Sequence, residues 1–390
     1  MAVNIIPLFF ISVASFLNIF SYGYFPNILF EGFVLIQSFF IYFISLYYKL
    51  SYKLSKSINK FLVVNLFFLI LSSIFQSSFY SISRSIALIF GVTSFYFLGA
   101  NISKKHLFLY IKFFIFCFYL GVFLCLISEK ISIYQYTGFF NNPNNLGRFF
   151  SYFFVVFFAF LLKYKKEIPQ LFSFQIYFII LVSFLFLSFS QARAAILSAL
   201  LPFLLYFLYK LFIKSKLFFE KKRKRDLYSL FILSLGILLV IALGIYYFEF
   251  VNTKSVFKLL QRGDYSGGRL IIWSLTLSQI TPWGINISGT KNDFLEFFGG
   301  NDPHSTYLNF ALNNGLIPSI VYFLSLFSLI FSQTLLKIIN KKGNYLFVYF
   351  LSINTFIYWI FESANSILPF WLIFFFMAYE KRENNFLYKI

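Results

Sequence analysis

Apolar runs of about twenty residues recur along this chain, most of them separated by short loops rich in lysine, and that alternation dictates a helical membrane protein. Charge arithmetic leaves little choice. A soluble domain carries roughly 25% charged residues, and this chain has only 12%. With 60% hydrophobic residues and 64 Phe among 390, it cannot cover its own surface in water. A helix satisfies its backbone within one segment, so runs of this length favour helices over a barrel. The Phe, Ile, Lys and Asn bias points to an AT-rich gene and says little about function.

We place spans over residues 5–24, 27–48, 61–76, 83–100, 107–127, 147–162, 170–188, 194–213, 227–248, 306–332, 344–361 and 367–380. The expected fold is all-α, with about twelve transmembrane helices and residues 1–390 in a single polytopic domain. Several spans are short for a bilayer, which tilted, broken or re-entrant segments accommodate. The first apolar run has no basic residue before it and no clear small-residue cleavage site, so it reads as a span and not as a cleavable signal. Cys117 and Cys125 share one apolar segment and read as membrane-core residues, since a disulfide framework or metal site would need more ligands.

The formal charge of +20 does not imply nucleic acid as a partner, because most of it sits in loops where the positive-inside rule expects it. With a cytoplasmic amino terminus, inside segments hold 23 Lys and Arg and outside segments 9, with Lys112 near an inner helix end. The opposite orientation would put the basic run 221–225 outside. Both termini are therefore expected in the cytoplasm. The outer minority has its own character. Five of the eight arginines, Arg84, Arg148, Arg193, Arg262 and Arg269, fall on the outer side. Topology needs only positive charge, whereas arginine is the better bidentate partner for phosphate. For any single arginine, interfacial snorkelling and binding of an anionic ligand both stand open.

Two outer segments are long enough to build a site. The shorter, 128–147, contains Asn141-Asn142-Pro143-Asn144-Asn145, a turn signal whose amides can also bond sugar hydroxyls. The longer, 249–305, exceeds fifty residues, and unstructured loops of that length are uncommon unless functional. Within it, residues 270–280 suit an amphipathic helix on the outer face, with Arg269 at its start. Glycine-rich phosphate loops, His-Glu-x-x-His, Gly-x-Ser-x-Gly and Cys-x-x-Cys are all missing from the sequence. Asp293, Glu296, Asp302 and His304 read as a solvated acidic loop in preference to a cation site, and no metal or other cofactor is expected. His106 falls in a basic inner loop. His304 is the better candidate, since Pro303 breaks the chain before it and an apolar helix is expected after it. A histidine there can take a proton from a hydroxyl near neutral pH, and arginines can hold a departing pyrophosphate. Such a pair suffices for glycosyl transfer from a polyprenyl-pyrophosphate donor.

The order of these pieces resembles the O-antigen ligase and O-antigen polymerase superfamily of bacterial envelope glycosyltransferases. The matching residues are Gly268-Arg269, Trp273, Pro282, Gly284, His304-Ser305-Thr306-Tyr307-Leu308 and Gly315. Asn142-Pro143-Asn144 before a helix and Ser190-Gln191-Ala192-Arg193 at a helix end are also similar. The family usually has His-Asn where this chain has His304-Ser305. The resemblance covers most of the chain. It implies a metal-independent, nucleotide-free GT-C-type enzyme of the bacterial inner membrane with a periplasmic active site. Its donor would be an oligosaccharide on undecaprenyl pyrophosphate. Arg193 and Arg269 would bind the pyrophosphate and His304 would activate the acceptor hydroxyl, with inversion at the anomeric carbon. Arg148, from its charge and position, joins Arg262, Asn142, Asn144 and Tyr307 as candidate substrate contacts.

Polymerase and ligase share that donor. The polymerase extends a lipid-linked repeat unit and the ligase loads lipid A-core; the AT-rich composition, common in sugar-specific antigen clusters, favours the polymerase. A chain-length regulator is a partner expected by analogy. A peptidoglycan or teichoic-acid enzyme of related architecture is a third reading. The rival from another class is a transporter or lipid-linked oligosaccharide flippase, which would carry polar residues at mid-membrane and repeat symmetry. Here the polar residues gather toward the outer side instead.

Overall fold

The computed structural model describes residues 2–21, 32–33, 36–43, 54–76, 80–128, 131–132, 135–140, 143–190, 192–221, 269–284, 305–333, 345–361 and 368–387. These are helical almost throughout. The helices are α1 (Ala2–Ser21), α2 (Lys56–Gln76), α3 (Tyr80–Asn101), α4 (Lys104–Ser128), α5 (Pro143–Tyr164), α6 (Gln170–Ser190), α7 (Arg193–Lys221), α8 (Arg269–Gln279), α9 (Thr306–Asn314), α10 (Leu316–Gln333), α11 (Leu346–Phe361) and α12 (Leu368–Leu387). Between α4 and α5 a hairpin of β1 (Ile131–Ser132) and β2 (Gln135–Tyr136) pairs Ile131 with Tyr136 and Ser132 with Gln135. The expected span over 227–248 lies outside the described residues, as does most of 27–48.

Among the described residues, four helices are long and apolar enough to cross a membrane by length and composition: Lys56–Phe75, Lys104–Ser128, Asn144–Tyr164 and Gln170–Ser190. Their surfaces differ as membrane helices should. α6 leaves Leu171, Phe174, Leu181 and Phe189 more than half exposed, a surface costly in water and natural against lipid tails. α5 is buried nearly all round, with Phe149, Phe150, Phe153 and Phe157 among the most enclosed side chains. In lipid the hydrophobic effect does little to join helices, so packing has to. Here it is aromatic: Phe114 of α4 stacks on Phe153 with centroids 4.2 Å apart, and Phe150 on Phe186 of α6 at 4.4 Å. Such pairs add about 0.5–1.5 kcal/mol each beyond area. Cys117 and Cys125 are buried and not joined in a disulfide.

The chain divides into two compact units, residues 1–200 with 279–390, and residues 201–278. In the second, the described parts are the continuation of α7 and nearly all of α8.

One expected span is broken. Residues 306–332 were expected to form one helix, but they form α9 and α10, parted at Gly315 with φ +94°. A Cβ at Gly315 would overlap the backbone of Trp283, so only glycine fits this approach. The amides of Leu316 and Ile317 donate to the carbonyls of Thr281 and Pro282 at 3.0 and 3.1 Å. Ser72 of α2 donates to the carbonyls of Asn314 and Trp283, closing the junction. α9 folds back along α10: Tyr307 packs on Phe323 at 4.5 Å and Phe310 stacks on Tyr322 at 4.6 Å. The start of α9 therefore lies opposite the middle of α10.

Candidate functional site

Two groups of polar residues occupy opposite ends of α5, α11 and α12. At one end the packing begins with Gly147, which has no side chain to hold α7 away. A Cβ there would come within 2.6 Å of Ala192 Cβ and 2.8 Å of Ala195 Cβ. The second turn of α5 thereby meets Ser190, Ala192 and Ala195, more than forty residues further along the chain. Behind this contact Asn354 of α11 donates to Ser151 of α5 at 2.6 Å and to Ser198 of α7 at 3.2 Å, tying three helices by buried polar groups.

Beside that tie is a narrow recess with room for about one water molecule. Arg148, Tyr152, Thr355, Tyr358 and Trp359 line it, with Pro369 of α12. The Arg148 guanidinium sits 4.7 Å over the Tyr358 ring, a cation–π contact that fixes the charge at the wall. The Tyr358 hydroxyl donates to the carbonyl of Asn144 at 3.2 Å, so the ring is held from the first turn of α5. No carboxylate is among the lining residues.

α9 is docked on the same wall. Ser305 caps it in an extended conformation, accepting from the Leu308 amide and donating to the carbonyl of Trp359 at 3.4 Å. Tyr307 packs 6.2 Å from Trp359 and its hydroxyl donates to the carbonyl of Phe356 at 3.2 Å. That makes Tyr307 a brace between α9 and α11, its hydroxyl committed to backbone.

The expected site residues are thus placed unevenly. Arg148 lines the recess and Asn144 holds its wall. Arg193 opens α7 one residue after the Gly147 contact and is exposed, outside the recess lining. Arg269 opens α8 in the second unit. His304, Arg262 and Asn142 lie outside the described residues, as does the side chain of Arg269. So do Asp293, Glu296 and Asp302; among the described residues, no cluster of three His, Cys, Asp or Glu could hold a metal.

The opposite end carries a cluster that the sequence reading missed. Lys163 of α5 pairs with Glu380 at 2.9 Å and Glu383 at 2.8 Å of α12, and its side chain and that of Glu380 are 4% and 0% exposed. Glu380 also accepts from the amides of Phe347 and Val348 at the start of α11. Tyr164 donates to Glu383, and Arg382 to the carbonyls of Ala100 and Ile102. The signal was present in sequence as Glu380-x-x-Glu383, two acids one helical turn apart. It reads as a helix tail once hydropathy ends the span at 380. Lys104 and Glu167, both in loops expected on the inner side, pair at 2.5 Å.

Compared with models of known protein families and with curated proteins, the chain matches none.

Proposed function

We propose that this protein is a membrane glycosyltransferase of the O-antigen polymerase type, with about twelve spans and the GT-C architecture. It would transfer an undecaprenyl-pyrophosphate-linked glycan onto the sugar of a lipid-linked repeat unit at the periplasmic face of the bacterial inner membrane. The observation that carries this reading is the convergence of the separated motif pieces. Gly147 meets the Ala192 segment, Gly315 meets Trp283-Gly284, and Ser305, next to His304, bonds the carbonyl of Trp359 in the wall that holds Arg148.

The reaction needs little from the protein. The acceptor hydroxyl oxygen attacks the anomeric carbon, the bond from that carbon to the pyrophosphate oxygen breaks, and its electron pair leaves on the diphosphate. His304 takes the hydroxyl proton. Arg193 and Arg269 stabilise the departing charge, a role worth about 3–4 kcal/mol for one well-placed donor. The ligase reading shares every step and differs in the acceptor.

Purified protein in nanodiscs, given only lipid-linked repeat units, should make a ladder of longer lipid-linked glycans. His304→Ala and Arg269→Ala should abolish it, with rates falling by about 100-fold or more. Transfer that begins only when lipid A-core is added makes the protein a ligase. Silence with both acceptors defeats the enzyme reading.

A further inference from the structure

One face of α4 is left bare by the fold. Tyr110, Phe114, Cys117 and Phe118 turn inward and are buried, while Leu109, Phe116, Tyr119, Phe123 and Leu126 are 37–62% exposed. Steps of three and four residues put the exposed set on one stripe. The step missing from it, between Leu109 and Phe116, is Lys112, which is exposed as well. Lys105, also exposed, stands on the same stripe four residues before Leu109. In a membrane this stripe meets lipid.

Lys112 lies two turns beyond Lys105, about 10 Å along the helix, with apolar side chains on either side of it. A lysine bare to hydrocarbon is costly, so its ammonium has to reach the headgroup layer. Side chains on a helix tilt toward its N-terminus, which directs Lys112 back toward Lys105. Both cations are thus offered to one layer from one stripe. Their neighbour Lys104 is neutralised by Glu167 at 2.5 Å, whereas among the described residues no carboxylate pairs with Lys105 or Lys112. A zwitterionic headgroup brings a cation of its own into that layer. An anionic one does not, so two unneutralised lysines select the anionic lipid. Beyond Lys112 the exposed side chains of Phe116, Tyr119 and Phe123 offer an acyl chain an apolar track.

We propose that Lys105 and Lys112, with the apolar stripe from Phe116 to Phe123, form a docking site for one anionic phospholipid. The lysines hold its headgroup phosphate and the stripe carries an acyl chain. The loop charges assign it to the inner leaflet. The site does not rest on the transferase reading.

The full-length protein in detergent is titrated with phosphatidylglycerol, and separately with phosphatidylcholine, and bound lipid is counted by native mass spectrometry. The wild type should prefer phosphatidylglycerol. Lys112→Met and Lys105→Gln should each weaken phosphatidylglycerol binding about five-fold, the worth of one lysine at a membrane surface. Lys112→Arg keeps the charge and should keep the affinity. Lys112 is exposed and has no ion-pair partner among the described residues, so Lys112→Met should retain the wild-type thermal midpoint. Lys60→Gln removes an equally exposed cation from the first turns of α2 and should change nothing. A wild type without preference for phosphatidylglycerol overturns the site, as does unchanged affinity in Lys112→Met. An equal loss in Lys60→Gln also overturns it, since diffuse surface charge then accounts for the binding.

Discussion

Gly315 shows how much one backbone position can decide. Its φ of +94° ends α9, and the missing Cβ lets Trp283 lie against it. Gly315→Ala should cost about 1–3 kcal/mol through backbone strain alone, with the steric overlap adding to that. Thermal unfolding in detergent measures the loss, and a wild-type midpoint would contradict the geometry. The same scale separates what could be read from sequence from what could not. Arg148 was legible as a cation on the side that topology disfavours. Thr355 and Trp359 were not, because they sit inside an apolar run where threonine and tryptophan are ordinary membrane residues. Only the packing around them shows that they line the recess. Tyr307 was legible as part of a motif, but its hydroxyl is spent on the carbonyl of Phe356.

Among the elements, α5, α11 and α12 are fastened at one end by charge and line the recess at the other. Lys163 and Glu380 are almost wholly enclosed, so removing either partner strands the other in a dry interior. Lys163→Met or Glu380→Gln should each cost about 3–5 kcal/mol, whereas replacing both with apolar residues should recover much of the loss. A double-mutant cycle by thermal unfolding checks this; additive losses would show that the pair is not coupled. Long apolar helices such as α4 and α6 were plain in the sequence, since hydropathy alone specifies them. The break within 306–332 was not. Asn313-Asn314-Gly315 reads as a pause in a span until Tyr307 and Phe310 are seen folded back on α10. α12 also outruns its hydropathy, reaching Leu387, because its acidic residues are consumed by Lys163 and not by solvent.

For the whole molecule, the loop charges predict a side for each helix end. Residues assigned to the same side do meet: Lys104 with Glu167, Lys163 with Glu380, and Gly147 with Ala192. Single cysteines introduced as Lys341→Cys and Lys258→Cys, with Cys117 and Cys125 replaced, should react with a membrane-impermeant maleimide on opposite sides. Position 258 should label in spheroplasts and position 341 only after lysis; the reverse pattern inverts the topology. The account as a whole stands on one stoichiometry. Each sugar linkage made from a lipid-linked donor releases one undecaprenyl pyrophosphate. The most direct measurement is that release by the wild-type protein and by His304→Ala, with both acceptor types supplied. The account predicts one carrier released per linkage formed, and release lost in the variant. No release by the wild type, or equal release by the variant, would contradict it.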